Sequence, residues 1–354
     1  MTTDPRTPVT VITGFLGSGK TTLLQQLMQR DEWRHTAVII NELGETGLDH
    51  LLVQHVAPHV RLLKSGCLCC SVREDLTLTL TDLLSRRQRK ELSFERVVVE
   101  TTGLADPLPV MHTLTTHPAL ARDFRLAGVV TVVDTFNGFA TLDQHEEARR
   151  QVAVADALLL SKCDLVQAVA REQLEQRLGR INPSAPLHRV DHGALRSEHL
   201  LYLENLDNPF LAQHLTNTPA AGAATWLFSA TKAITSSLFQ RAHPPHASDI
   251  QTLCLTVDEP FEDEAFRHWL GLLTAMRGER LLRFKGLIHI AESPVRPLVV
   301  HAAQHLVHPP VSLAAWPDAD RRSRLVFITQ GMEQQVIENT LHKFTGARAV
   351  PSPT

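Results

Sequence analysis

Residues 9–28 read VTVITGFLGSGKTTLLQQLM, and this stretch decides the fold. Val9-Thr10-Val11-Ile12-Thr13 has the apolar, β-branched texture of a buried strand. Thr22 to Met28 reads as the start of a helix. Between them, Gly14-Phe15-Leu16-Gly17-Ser18-Gly19-Lys20-Thr21 satisfies G-x-x-x-x-G-K-[ST] at every fixed position. Strand, glycine loop and helix form the context in which this motif is a phosphate-binding loop. The glycines let backbone N–H groups turn inward around an anion, and the helix N-terminus adds partial positive charge. Lys20 is placed to reach the β- and γ-phosphates, and the Thr21 hydroxyl to ligate Mg²⁺. Gly14, Gly17, Ser18, Gly19, Lys20, Thr21 and Thr22 are thus the candidate nucleotide-binding residues of the loop.

The chain has 354 residues, 43% of them hydrophobic, enough for one large domain or two ordinary ones. Its 35 basic residues nearly balance 38 acidic ones without a basic tail, so nucleic acid is not an expected partner. No apolar run approaches the roughly 18 residues needed to span a bilayer, so no membrane is expected either. The first residues lead straight into the first strand and leave no room for a signal peptide, and the expected location is the cytoplasm. Of the five cysteines, Cys67, Cys69 and Cys70 cluster, while Cys163 and Cys254 stand alone. In a reducing compartment such a cluster points to metal or redox chemistry rather than disulfides.

The first half alternates candidate strands at 9–13, 36–40, 61–63, 96–100, 126–134 and 157–161 with amphipathic segments at 21–29, 75–87, 107–115 and 146–153. This is the βαβ alternation of an α/β P-loop NTPase domain with a mostly parallel sheet. A further helix is expected over 165–180. The texture then changes. The stretch 216–224, TNTPAAGAA, reads as a linker, and a second polar stretch at 240–248 follows. Beyond lie strands at 252–257, 281–290, 297–300 and 325–329, with helices at 262–275 and 332–343. The expected domains are 1–215, a linker region 216–249, a smaller α+β C-terminal domain over 250–345, and a tail from 346 to 354.

Two later segments add to the nucleotide site. Val97-Val98-Val99-Glu100-Thr101-Thr102-Gly103 is an apolar strand ending in a carboxylate that can reach Mg²⁺, with a glycine that lets backbone approach the γ-phosphate. Asp134 ends another apolar strand, as a site acid or as a turn residue. Leu158-Leu159-Leu160-Ser161-Lys162-Cys163-Asp164 gives S-K-x-D after a strand, close to the guanine signature N-K-x-D. There Asp164 would accept from the guanine ring N–H and amine, and the Lys162 stem would pack along the base. An unmatched carboxylate would reject adenine. Ser161 departs from the usual Asn.

Cys67, Cys69 and Cys70 place three thiols within four residues. Thiolates suit Zn²⁺ or Co²⁺, and three local ligands leave a tetrahedral ion one open or borrowed position, as a transfer site needs. Buried small hydrophobes or a redox pair are the other readings of the same residues. The 19 histidines form no dense tract. His117 and His192 read as structural, and His301, His305 and His308 fall in strand-like sequence.

Taken together, ITGFLGSGKTTLL (12–24), INELGETGLDH (40–50), SGCLCC (65–70), ETTGLADP (100–107), LLLSKCDL (158–165) and ERLLRFKGLIHI (279–290) resemble the CobW-type P-loop GTPases, in order and over almost the whole chain. The resemblance implies GTP binding with slow hydrolysis, Lys20 and Glu100 as catalytic residues, Mg²⁺, and a transition metal (zinc or cobalt) at Cys67, Cys69 and Cys70. Glu42 and Glu45 match a switch-like segment that would sense the γ-phosphate, its Mg²⁺ or the second metal. The implied role is a metal chaperone with a metalloprotein client, and it leaves room for a homodimer. A scaffold with structural zinc and a small-molecule phosphotransferase are the rival readings. The His-rich tail of some relatives is absent.

Overall fold

The computed structural model describes residues 4–42, 60–64, 70–190 and 250–351, with residues 41–42, 60–64 and 70–73 described by backbone alone. Cys67, Cys69, Glu45, His192 and the expected linker lie outside the described residues.

Contacts divide the chain into two units. The first is built on a sheet of seven strands: β1 (Thr7–Thr13), β2 (Thr36–Glu42), β3 (Val60–Lys64), β4 (Arg96–Glu100), β5 (Phe124–Asp134), β6 (Ala157–Ser161) and β7 (Leu187–Arg189). Their order is β3-β2-β4-β1-β5-β6-β7, and every pairing is parallel. Parallel strands need long crossovers, here mostly helical, which bury both sheet faces. That explains why the central strands read as nearly unbroken Val and Ile runs. Around the sheet lie α1 (Lys20–Met28), α2 (Cys70–Gln88), α3 (Leu108–Thr116), α4 (Pro118–Ala121), α5 (Gly138–Gln144), α6 (Glu146–Ala153) and α7 (Ala168–Ile181). In α1 the buried residues Lys20, Leu23, Leu24, Leu27 and Met28 recur at helical spacing. This face joins Ile12, Trp33, Val38, Val98, Val130 and Leu159 in one apolar cluster.

Two expectations need adjusting in this unit. The helix expected over 165–180 starts only at Ala168: Cys163–Leu165 is a 3₁₀ turn, and Val166 is extended at φ −130°, ψ 153°. The three-residue strand β7 was not anticipated, because it is too short to show a period.

The second unit takes in Glu175–Pro186 and the residues from 250 onward. Its strands are β8 (Ile250–Val257), β9 (Leu281–Ile288), β10 (Leu298–Ala303), β11 (Leu306–Val307), β12 (Val311–Ser312), β13 (Ser323–Gln330) and β14 (Ala349–Pro351). They pair antiparallel, with β13 between β9 and β8. Helices α8 (Asp263–Arg277) and α9 (Gln334–Thr345) supply Phe266, Trp269, Leu273, Ile337 and Leu341 to a core that includes Phe284 and Phe327. His301 lies on β10, His305 turns toward the Thr274 carbonyl at 2.8 Å, and His308 follows β11, so the three share no helical face.

Trp269 is fully buried, with its ring edge-on to Phe327 at 6.2 Å. Trp269→Ala is expected to cost the second unit about 3–5 kcal/mol. Urea denaturation followed by circular dichroism checks this; a loss below about 1 kcal/mol would contradict the packing described.

Candidate functional site

The strand directions put four loops at one edge of the parallel sheet. Register fixes their neighbours: Ile12 pairs with Glu100, Thr13 with Thr131, and Asp134 with Ser161. This is the C-terminal edge, where open α/β sheets take ligands.

The loop from Gly14 to Gly19 leaves β1 and enters α1. Gly14 has φ 144°, and a Cβ there would lie 2.2 Å from the Val132 carbonyl oxygen. Only glycine permits that approach. Lys20 is 8% exposed, and its Nζ donates to the carbonyls of Gly14 (2.8 Å) and Phe15 (3.2 Å). The ammonium is thus held against the loop's own carbonyls, facing the space the amides surround. Ser18 is 1% exposed, and its Oγ has no hydrogen-bond partner among the described residues. Gly17, Gly19 and Thr22 complete the turn into the helix, Thr22 exposed on its first turn.

Thr21 Oγ1 donates to Glu100 Oε1 at 2.7 Å. Two hard oxygens therefore meet beside the loop, and Glu100 is 4% exposed at the tip of β4. That donor set fits Mg²⁺, which takes hydroxyl and carboxylate oxygens alongside phosphate. Behind them, Thr101 Oγ1 donates to Thr13 Oγ1 at 2.8 Å and ties β4 to β1.

The S-K-x-D segment meets the same loop. Ser161 Oγ donates to the Ser18 carbonyl at 2.6 Å. The hydroxyl thus braces the loop directly, at a position where the guanine signature has Asn. Lys162 takes the left-handed conformation at φ 57°, and its Nζ donates to the Gly17 carbonyl at 2.8 Å and to Asp134 Oδ2 at 2.7 Å. Asp134 also accepts from the Phe136 and Asn137 amides at 2.8 and 3.2 Å, so it serves the turn and the lysine at once. Burial pushes its carboxyl up, but hydrogen bonds from Lys162 and Asn137 and the Lys162 charge outweigh burial and hold it below the ordinary value. Asp164 lies exposed in the 3₁₀ turn Cys163–Leu165, open to a ligand.

Glu42 ends β2 opposite Lys64 in register, and Cys70 opens α2. Of the other two cysteines, Cys163 is buried and Cys254 only half-buried. Cys163 is 4% exposed and its thiol donates to the Leu160 carbonyl at 3.4 Å, while burial pushes the Cys254 thiol up to about 12. His117 joins α3 to α4, its carbonyl accepting from the Leu120 and Ala121 amides, while its ring Nδ1 is buried with no hydrogen-bond partner among the described residues. Among the described residues no group of three or more His, Cys, Asp or Glu gathers to hold a metal, and no helix is long and apolar enough to cross a membrane.

Sequence reasoning assigned no role to Gln151, Arg150 or His145. Gln151 Nε2 donates to the carbonyls of Gly103 (3.1 Å) and Ala105 (3.0 Å). Arg150 Nη1 reaches Asp106 Oδ2 at 3.2 Å, and the His145 ring stacks on Phe15 at 4.4 Å. No local motif announces such contacts, since they exist only once α6 packs beside the loops.

The model of the CobW/HypB/UreG nucleotide-binding domain matches residues 8–189, and that of the cobalamin synthesis protein cobW C-terminal domain matches residues 250–345. The chain belongs to the CobW/HypB/UreG family. Within the family it is 33% identical over 320 residues to the zinc chaperone YjiA of Escherichia coli, across 90% of this chain and 93% of that one. It is 29% identical over 379 residues to the zinc chaperone CobW of Pseudomonas aeruginosa, across 96% and 92%. The crystal structure of Zn(II)-bound YjiA GTPase from E. coli superposes with a TM-score of 0.66 at 25% identity, covering 96% of this chain and 99% of that one.

Two outcomes follow from the geometry. Gly14→Ala is expected to displace the loop and weaken nucleotide binding by about a hundredfold, measured by isothermal titration; affinity within about twofold of wild type would contradict the close approach. In native protein carrying Cys67→Ala, Cys69→Ala and Cys70→Ala, Cys254 is expected to react only slowly with a thiol reagent, since burial keeps its thiol protonated, and Cys163 only after unfolding. Fast reaction would mean that Cys163 or Cys254 is accessible.

Proposed function

We propose that this chain is a GTP-binding, GTP-hydrolysing metal chaperone that carries zinc on Cys67, Cys69 and Cys70 and couples its transfer to the state of the nucleotide. The nucleotide half rests chiefly on one observation: Thr21 and Glu100 meet at 2.7 Å beside a loop that Lys20 faces and Lys162 grips. The metal half is supported by the thiol spacing and by relatives named zinc chaperones. Those names favour zinc over cobalt, which the same thiolates also suit.

In this reading Gly14, Gly17, Ser18, Gly19 and Thr22 shape the cradle, and Lys20 leaves its carbonyl partners to meet the β- and γ-phosphates. Thr21 supplies the Mg²⁺ ligand, and Glu100, bonded to it, orients that hydroxyl and lies at the γ-phosphate end. Mg²⁺, when bound, neutralises charge developing on the transferred phosphoryl group. Asp164 accepts from guanine, and the Lys162 stem lies along the base. Glu42 and Glu45 belong to the segment ordered by GTP, and hydrolysis releases that segment. The client is a metalloprotein reached in the cytoplasm. Residues 1–215 form the GTPase domain and 250–345 the C-terminal domain, with 216–249 linking them.

Metal competition titration with Mg²⁺ and either GTP or GDP tests the coupling. Zinc is expected to bind at least about fivefold tighter in the GTP state, and GTP must then bind tighter to the zinc-loaded protein by the same factor. Equal zinc affinity in both states would leave a scaffold with structural zinc. Lys20→Ala is expected to lower GTP affinity and turnover by about tenfold or more; unchanged values would contradict the phosphate-loop assignment.

A further inference from the structure

Helix α6 carries none of the nucleotide contacts just assigned, yet it touches both loops that do. Its residue Gln151 is 1% exposed and donates to two carbonyls of the loop after Glu100, those of Gly103 and Ala105, at 3.1 and 3.0 Å. Two acceptors on one side settle the amide orientation, because the nitrogen and not the oxygen must face them. The backbone carbonyl of Gln151 in turn accepts from Thr131 Oγ1 at 2.7 Å, which pins the helix to β5. One residue earlier, Arg150 pairs with Asp106 Oδ2 at 3.2 Å and with Glu146 at 3.2 Å. Asp106 Oδ1 accepts from the Leu108 amide at 3.0 Å, so the far end of the same loop is tied to the start of α3.

The loop is held from its other side by the phosphate loop. A Cβ on Gly103 would lie 2.6 Å from the Leu16 amide nitrogen, so Gly103 and Leu16 are in backbone contact. Phe15, Leu16 and Gln151 line one small cavity, and the Phe15 ring stacks on His145 at the head of α6. The segment from Gly103 to Asp106 thus lies between the phosphate loop and α6. Gln151 fixes the two peptide planes that follow Gly103 and Ala105.

We propose that Gln151, with Arg150 as its outer support, is a positioning residue that sets the Gly103–Asp106 loop for recognition of a γ-phosphate, a role that rests on the GTPase reading. Gln151 touches no nucleotide itself. It acts by denying Gly103 and Ala105 other orientations, so the loop meets the third phosphate without first being ordered. GDP lacks that phosphate and gains nothing from the arrangement, so a change at Gln151 separates the two nucleotides. A residue that merely packs the core would move both affinities together.

The test uses full-length Gln151→Leu, which keeps side-chain bulk and removes both donors. Hydrogen exchange is read first without nucleotide. The 101–107 segment is expected to exchange about tenfold faster than in wild type, with segments 9–13 and 126–134 unchanged. Affinity for GDP is expected to stay within about twofold, while affinity for GTPγS and the GTP turnover rate each fall about tenfold. Arg150→Met, at a partly exposed position, is expected to shift the same readouts in the same direction by less, and serves if the first variant does not fold. Unchanged exchange at 101–107, or equal losses for GDP and GTPγS, would overturn the proposal. Faster exchange at 101–107 in a protein whose wild type turns over no GTP would support the anchoring by Gln151 and overturn the GTPase reading instead.

Discussion

The parallel pairing of β1 with β4 on one side and β5 on the other is the constraint on which the rest of the first unit depends. Strands that run the same way release their loops at the same edge. With Ile12 opposite Glu100 and Asp134 opposite Ser161, the phosphate loop, the acid of β4 and the S-K-x-D segment have one place to meet. Burial on both faces demands apolar, β-branched strands. It also favours partners for the polar groups buried at the edge. Thr101 bonds Thr13, and Asp134 accepts from the Phe136 and Asn137 amides at 2.8 and 3.2 Å. The polar bonds that stiffen the edge are therefore a consequence of the same pairing that assembles it.

The cations at that edge are held differently. Lys20 donates to carbonyls of its own loop, and Lys162 to the Asp134 carboxylate and the Gly17 carbonyl. Asp134 is 8% exposed at its side chain, so its charge is poorly screened and the pair resists separation. In the function proposed above, Lys20 exchanges carbonyl oxygens for phosphate oxygens, while Lys162, held by Asp134, marks where the base lies. One lysine is placed to follow the ligand and the other to define its site. Ser161 contributes to the second task through the Ser18 carbonyl, a shorter reach than Asn provides and sufficient here because β6 and the loop lie close.

Much of this was legible in the sequence, for identifiable reasons. The phosphate loop, the Glu100 strand and the Asp164 turn are local patterns, with spacing and flanking periodicity in one short window each. The strands of both units were readable for the same reason, apart from two-residue and three-residue strands such as β11, β12 and β7. The start of α7 was misplaced because Leu165 suits a helix by composition, while Val166 is drawn into an extended conformation after the turn. Asp134 was readable as an acid at a strand tip but not as the partner of Lys162, since 28 residues separate them and only register joins them. Gln151 lay beyond reach altogether. Glutamine in an amphipathic helix signals nothing until the loop it faces is in place.

Strand order also bears on how nucleotide and metal could speak to each other. β3 leads into the thiol segment and ends at the same edge as β1, but with β2 and β4 between them. Three strand spacings separate the ends of β1 and β3 by about 14 Å. Between those ends lie the tips of β4 and β2, which carry Glu100 and Glu42. Glu42 stands opposite Lys64, the last residue of β3, so a shift at the β2 tip is felt one strand from where the thiol segment begins. Cys70 stands at the start of α2, the helix that follows the thiol segment. The coupling proposed for this chain therefore has two acidic strand tips, those of β4 and β2, in the row between the phosphate loop and the strand that precedes the cysteines.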